Sequence, residues 1–528
     1  MHSGVGEHCV SRGRFPDSLR LCLTNQGGNM SNYHIAVIDV GKTNKKVLIF
    51  DDKLRLLDSV YKNFDEYVEG KTHFEDVENM TAWFKESLKG FSSEYDIKAL
   101  SITTHGATAM CIDKKGKLAT PPVAYTTETD ESFQEAFYSR FGSREELQQK
   151  TATAQIGDVI NIGKKVYFLQ KNYPDQFKEV ETILNYPQYF GYVFTGKKGA
   201  EPTYVGCHTY LFDFAAKHYS ELADKLGIRD KLPPKISKSW EVLGTISEQA
   251  AAETGLSTNC VVTMGIHDSN SSLLPYIVQG YKDFVLNSTG TWCVAMHPTA
   301  DVKFAEHELG KLVFYNLNAF FEPVKTSIFM GGLEFETYTR LLWDINKTEH
   351  YPEPDYDLYR KIISEKKLFI LPSVVKGTGI FPDAKPCVIE NGVSIPLENI
   401  QNGTQVPSFF TDFHTAWATM SLSLAIQTKA ALNMVGFAGK GAIFTEGGFR
   451  KNKEYNALLT SVYPDASLYL TNMEEATAFG AAILGKAALD KTTPMETNDC
   501  FDIKLTPVDR VELPGMQEYV QAFLERVG

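Results

Sequence analysis

Gly265-Ile-His-Asp268 follows the apolar run Val261 to Met264, which places Asp268 where a strand ends and a carboxylate can face a cleft. Such a carboxylate can accept the proton of an attacking hydroxyl, late in the step, because an alcohol is too weak an acid to ionise beforehand. Asp39 also closes an apolar run, Ile35 to Ile38, and the Gly41 that follows frees backbone N–H groups to approach phosphate oxygens. A carboxylate there is poorly solvated unless a cation such as Mg²⁺ meets it; the other reading is an Asp that caps a tight hairpin. Ser288-Thr289-Gly290-Thr291 brings three hydroxyls and a flexible residue to one turn, enough to converge on a phosphate tail, although such turns also close ordinary hairpins. His267 is the rival to Asp268, as base or as metal ligand. With no second His at ligand spacing it reads as a hydrogen-bonded structural histidine, and its place beside Asp268 keeps it among the candidate substrate contacts.

These side chains need elements to hold them. Ile35 to Ile38 and Val47 to Phe50 read as strands joined by the polar turn Asp39-Val-Gly-Lys-Thr-Asn-Lys-Lys46. The same arrangement recurs as Asp283 to Asn287, the turn Ser288 to Thr291, and Trp292 to Met296. Helices are expected over Gly163 to Asn172 and along the aromatic run from Tyr186 that Gly196 stops. That run contains Gly191-x-x-x-x-Gly196-Lys197, close to a P-loop, but Lys198 replaces the required Ser/Thr and aromatic residues replace glycines, so it is read as helix. Phe413, Trp417, Met420, Leu424 and Ala431 recur at helical spacing behind the N-cap Asp412, a core stripe. Gly441 to Thr445 reads as a strand entering Glu446-Gly-Gly448, and Asn472 with Glu475 suggests a capping box opening a helix through Leu484. Strand, glycine turn and helix could hold a nucleoside. The alternation in both halves implies α/β domains with a cleft between them and a boundary near residues 272 to 282.

Bulk properties narrow the function. A chain of 528 residues, 43% hydrophobic and 22% charged, is a globular protein too long for one core. Its formal net charge of −12, with no compensating Lys/Arg block, argues against nucleic acid or an anionic membrane as partner and leaves a small molecule. No apolar run is long enough to span a bilayer and no secretory signal stands at the start, so a cytoplasmic address is expected. The eight cysteines contain no C-x-x-C pair and read as free thiols. Residues 1–30 lack periodicity and are expected to be a disordered extension or a mis-called start ahead of Met30.

The ordered set Asp39-x-Gly-x-Thr-x-x-Lys46, Gly265-x-His-Asp268, Ser288-Thr-Gly-Thr291, Glu446-Gly-Gly448 with Asn452, and Glu474-Glu-Ala-Thr-Ala-Phe-Gly-Ala-Ala482 resembles the FGGY carbohydrate kinases. The resemblance implies two ribonuclease-H-like domains of the actin and hexokinase superfamily, with an interdomain cleft that closes over ATP, Mg²⁺ and a sugar. It implies an N-terminal domain over 31–275, a C-terminal domain over 276–490 and a helical tail over 491–528. Asp268 would be the catalytic base and Asp39 would organise the metal. Gly41, Thr43, Asn44 and Lys46 would form the first phosphate loop, Thr289, Gly290 and Thr291 the second, and Gly447, Gly448 and Asn452 would lie at the adenosine end.

The early loop Ile102-Thr-Thr-His-Gly-Ala-Thr108 looks most like kinases of deoxyketoses such as L-fuculose and L-rhamnulose. It makes His105, Gly106 and Ala107 candidate sugar contacts, together with Glu128, His267 and Asp268. Two positions depart from the family pattern. Lys42 stands where Thr is usual, and its charge could reach a phosphate directly. Tyr125-Thr-Thr-Glu-Thr129 replaces a Trp-x-Asp-x-Arg-like segment, which removes two charged sugar contacts and suits a substrate with a methyl end. The competing readings are a nucleotide-gated ATPase of the actin or heat-shock kind and a catalytically silent sugar sensor. A homodimer is implied by analogy alone.

Overall fold

The computed structural model describes residues 9–10, 19–22, 32–375 and 379–527. The chain forms two compact units: Met1–Tyr281 with Tyr315–Pro323 and Glu475–Ile503, and Lys282–Phe314 with Val324–Glu474 and Lys504–Gly528. The first change of unit, between Tyr281 and Lys282, lies at the edge of the boundary zone read from sequence. Two segments within the expected C-terminal domain, 315–323 and the whole helix Ala476–Asp490, group by contacts with the first unit, and the tail from Lys504 groups with the second. Short apolar segments carry no mark in the sequence of which core they pack on.

Both units use one sheet plan. In the first, the strands Leu56–Asn63, Asn44–Asp51, His34–Val40, Ile97–Thr104 and Val261–Thr263 lie side by side, so that the third, second and first strands run into the fourth and fifth. The first three are antiparallel neighbours, whereas Ile97–Thr104 runs parallel to both His34–Val40 and Val261–Thr263. In the second unit, Pro323–Phe329, Cys293–Pro298, Phe284–Thr289, Gly441–Gly447 and Ala466–Thr471 repeat that order with the same mixture of senses. The central strands read as nearly unbroken Val, Ile, Leu and Ala because both faces of each sheet are covered, and Ile35 through Ile38 are fully buried. This is the mixed α/β, ribonuclease-H-like plan the sequence suggested, present twice.

Several local expectations fare differently. The aromatic run forms the helix Tyr186–Thr195 with Gly196 as a left-handed cap, so the near P-loop is helical. Asp412 caps the helix Phe413–Met434 by accepting from Thr415 N–H. The helix Ala476–Asp490 has no side-chain cap: Asn472 accepts instead from the Lys504 N–H, and Glu475 is drawn elsewhere. This helix packs on Asp268–Val278 so closely that a Cβ on Gly480 would sit 1.9 Å from Ser271 O. Within the stretch expected to be disordered, Cys9–Val10 and Leu19–Cys22 pair as strands, the latter on Leu56–Asn63. The open edge of Leu56–Asn63 supplies the backbone partners. The rest of 1–31 lies outside the described residues. The six cysteines whose side chains are described are free thiols, and among the described residues no helix is long and apolar enough to cross a membrane.

Candidate active site

The parallel strands of the first unit end together, and their carboxyl ends carry its acidic groups. Asp39 pairs in register with Thr103, and Ile266 pairs with the same Thr103 from the other side, so Asp39 and the His267-Asp268 pair flank one strand terminus. The first hairpin is tighter than its sequence suggested. Strand pairing runs out to the Val40–Lys45 pair, which sets Asp39 directly opposite Lys46 in the ladder. The Lys46 ammonium lies 3.6 Å from Asp39 Oδ2 and 2.6 Å from Glu475 Oε2, and Tyr61 donates to Glu475 Oε1 at 3.2 Å. Glu475 is a partner that sequence reading missed. It is 429 residues from Lys46 along the chain, and its capping-box spacing pointed to a different use.

Electrostatics mark this cluster. Asp39 is only 3% exposed, and burial pushes its pKa up to about 6 although Lys46 pulls it down; the Glu475 and Asp268 carboxylates push it further up. Burial works against the Lys46 charge, but Asp39 and Glu475 outweigh it and raise its pKa above the ordinary lysine value. Asp268 keeps 31% side-chain exposure at the start of its helix, and poor solvation raises its pKa too. Its Oδ1 accepts from Ser269 N–H at 2.6 Å, leaving Oδ2 for an incoming proton. The preceding backbone is fixed from below. His267 N–H donates to Thr203 Oγ1 at 2.9 Å, and the buried Glu201 accepts from the Thr203 and Tyr204 N–H groups and from Ser239 Oγ at 2.9, 2.7 and 2.7 Å.

The early loop forms one wall. His105 is 5% exposed and its Nδ1 lies 2.9 Å from the Gly106 carbonyl, which can only accept, so Nδ1 carries the proton. Nε2 is then an acceptor with no hydrogen-bond partner among the described residues, 3.6 Å from Glu75 Oε1. Burial drives this imidazole down to about 4 despite Glu75, so it is neutral near pH 7. Gly106 and Ala107 follow, Ala107 in the left-handed region at φ 64°. Lys42 does not stand free for a phosphate as its sequence position suggested. It pairs with Glu66 and, at 3.2 Å, with Glu75, and its ammonium lies 4.4 Å from the centre of the Tyr125 ring. Tyr125 meets His105 edge-on at 5.5 Å, and Tyr186 does so at 5.2 Å. Glu128 is exposed, and no described ion pair or side-chain hydrogen bond ties it to His105 or Asp268. Gly41 is half-buried, and Thr43 and Asn44 are exposed at the hairpin tip.

The second unit carries the corresponding hairpin. Thr289 is buried and its hydroxyl is spent internally, donating to Glu446 O and accepting from Phe449 N–H, whereas Gly290 and Thr291 are exposed. Gly447 holds φ 77°, and a Cβ there would lie 1.9 Å from Thr289 O, so only glycine lets these two strand ends meet. The helix Gly331–Asn346 begins with no side-chain cap, and its Gly332 backs onto Gly290 O; the uncapped N–H groups favour an anion near that turn. Gly448 and Asn452 border a cavity of about 410 Å³ whose walls include Phe335, Tyr351, Trp417 and Phe449. Asn452 Oδ1 caps the next helix by accepting from Tyr455 N–H. Flat aromatic walls and glycine backbone suit a heteroaromatic ring better than a polar sugar.

The comparisons with known proteins agree with this layout. The N-terminal domain of the FGGY family of carbohydrate kinases matches residues 34–275, and the C-terminal domain of carbohydrate kinase FGGY matches 281–494. The chain belongs to the FGGY family of carbohydrate kinases. A rhamnulokinase of Halalkalibacterium halodurans is 25% identical over 265 residues, 49% of this chain and 55% of that protein, so the match spans about half of that relative's length. An L-fuculokinase of Salmonella typhi is 21% identical over 401 residues, 76% of this chain and 79% of that protein. The crystal structure of a carbohydrate kinase from Novosphingobium aromaticivorans has the same fold, with a TM-score of 0.75 over 94% of this FGGY chain and 99% of that one at 24% identity.

Proposed function

We propose that this FGGY protein transfers the γ-phosphoryl group of ATP to a hydroxyl of a ketose, of the deoxyketose class to which L-rhamnulose and L-fuculose belong. The observation that carries the reading is Asp268: a half-exposed carboxylate of raised pKa, at the ends of parallel strands, beside the Asp39–Lys46–Glu475 cluster. As the sugar oxygen bonds to the γ-phosphorus and the bond to the β–γ bridging oxygen breaks, ADP departs and the hydroxyl proton passes to Asp268 Oδ2. A raised pKa brings the base closer to the acidity of the hydroxyl in the transition state.

Three carboxylates against one ammonium form an oxygen-rich set that fits Mg²⁺, with Asp39 as the residue that would hold it. Bound there, Mg²⁺ would neutralise charge on the nucleotide's phosphates. Lys46 is placed to shift from the carboxylates to a phosphate oxygen. In the second unit Gly290 and Thr291 would meet the phosphate tail, and the aromatic cavity beside Gly448 and Asn452 would take the adenine.

The deoxyketose assignment rests on the wall around His105. Lys42 is paired with Glu66 and Glu75, so the partly exposed Tyr125 ring is the apolar group offered beside His105 to a methyl end, while His105 Nε2 awaits a hydroxyl donor. A coupled assay of ADP release across ketoses, deoxyketoses and polyols tests it. The expected result is sugar-stimulated ADP release with the largest kcat/KM on a 6-deoxyketose. ATP hydrolysis indifferent to every sugar would reject the kinase reading, and preference for a terminally hydroxylated ketose would reject the deoxyketose class alone.

A further inference from the structure

Behind Asp268 the first unit gathers three ligating side chains that the phosphoryl-transfer reading does not use together. Cys207, His208 and His267 bring Sγ and two ring nitrogens within 4.8 Å of one another. Sequence reading dismissed His267 as a metal ligand for want of a second histidine at ligand spacing; the fold supplies His208 from 59 positions upstream, a separation of 267 − 208. Cys207 and His267 are 2% and 4% exposed. The edges of the cluster can be compared with a coordination polyhedron. Metal bonds of about 2.3 Å to sulfur and about 2.05 Å to nitrogen give a tetrahedral S–N edge of about 3.5 Å and N–N or N–O edges of about 3.4 Å. Cys207 Sγ stands 3.7 Å from His267 Nε2, and Asp268 Oδ1 stands 3.2 Å from that same nitrogen.

The surroundings keep this arrangement open. His208 Nε2 and His267 Nε2 each lie 2.8 Å from the point where a Cβ on Gly106 would stand, so the absence of a side chain there leaves space between the two imidazoles. His208 is held at φ 39°, an unfavourable left-handed conformation for a non-glycine residue, with its carbonyl fixed by Asn161 Nδ2 at 3.0 Å. A Cys–His contact alone would be packing. A thiol and two imidazoles within 4.8 Å of one another, with Cys207 Sγ at a coordination-edge distance from His267 Nε2 and His208 in a strained backbone, ask for more than packing.

We propose that Cys207, His208 and His267 form a site for a borderline-soft divalent cation of the Zn²⁺ kind, and that its charge, set beside Asp268, weakens that carboxylate as a base. Binding replaces the Cys207 S–H bond by a sulfur–metal bond and releases that proton to solvent. Mg²⁺, which prefers oxygen ligands, would not compete for a thiolate and two imidazoles. The metal site stands on its own geometry; only the effect on turnover rests on the proposed kinase reaction.

Cobalt(II) is the probe, added to the full chain under saturating Mg²⁺ and a phosphine reductant. The wild-type protein should develop a thiolate-to-cobalt charge-transfer band in the near ultraviolet, saturating at one ion per chain. Sugar-stimulated ADP release should fall in parallel and return when a chelator is added. Cys207→Ser should abolish the band, and His208→Gln should weaken cobalt affinity by about 100-fold while retaining turnover in metal-free buffer. The wild-type spectrum decides even where a variant fails to fold. No band in the wild type, a band undiminished in Cys207→Ser, or full turnover with the band saturated would each overturn the proposal. Failure of the kinase reading is separately visible as no sugar-stimulated ADP release before any cobalt is added.

Discussion

The two units place the same hairpin at the same point of the same sheet plan, yet they fill it with opposite chemistry. In the first unit the strand ends carry buried charge: Asp39 faces Lys46, Glu475 acts on both, and Asp268 acts on Asp39 through space. In the second, the corresponding ends carry backbone and hydroxyls, with Thr289 turned inward and Gly447 pressed against it. One hairpin is electrostatically costly and waits for compensating charge; the other is sterically tight and depends on what is missing at Cβ. A repeated fold thus fixes where a site lies, and the residues at the strand ends decide whether it acts by charge or by shape.

That contrast can be broken by exchanging its terms. Asp39→Asn removes the metal-holding carboxylate and should lower kcat by about 10³-fold at saturating Mg²⁺, read by single-turnover phosphoryl transfer. Gly447→Ala leaves every charge in place, and should weaken nucleotide binding by about 100-fold in titration calorimetry, because a Cβ would stand 1.9 Å from Thr289 O. Equal losses of binding and chemistry in both variants would erase the distinction between the hairpins.

Acid should affect the two regions unequally. Asp39 must be ionised to hold a cation, and its pKa is raised to about 6, so kcat/KM should fall about tenfold per pH unit below that value, and added Mg²⁺ should move the midpoint to lower pH by competing with protons. A midpoint unmoved by Mg²⁺ would remove Asp39 from metal binding. For stability the sign is reversed: the folded state holds this proton more tightly than the unfolded chain, so ionised Asp39 costs stability above about pH 6 and the cost is relieved as pH falls towards the ordinary aspartate value. Smaller still, Tyr351→Ala should cost about tenfold in nucleotide affinity with kcat unchanged, the scale of one stacking contact at the aromatic cavity.

Much of the fold was legible because apolar runs stop at informative residues. Ile35 to Ile38 ending at Asp39 and Val261 to Met264 leading to Asp268 announced strand ends, and Gly196 and Asp412 announced helix ends. What stayed hidden depends on chain distance. Glu475 meets Lys46 across 429 residues, and Glu75 meets Lys42 across 33, neither with a local pattern that demands a charged partner. Cys207 and His208 lie in a short irregular stretch after the helix Pro202–Val205, and only the three-dimensional fold brings them to His267. Glu128, a charged residue in the segment the sequence pointed to, is exposed and lacks any described ion pair that would anchor it, a feature its sequence does not reveal.

The central claim is that Asp268 takes the proton in phosphoryl transfer and contributes little to holding the nucleotide. Asp268→Asn keeps the size and the hydrogen bond from Ser269 N–H, so nucleotide affinity by calorimetry and the single-turnover transfer rate should separate. The account predicts affinity within about twofold of wild type and a rate lower by about 10³-fold. A transfer rate within about tenfold of wild type, with the nucleotide bound normally, would contradict it.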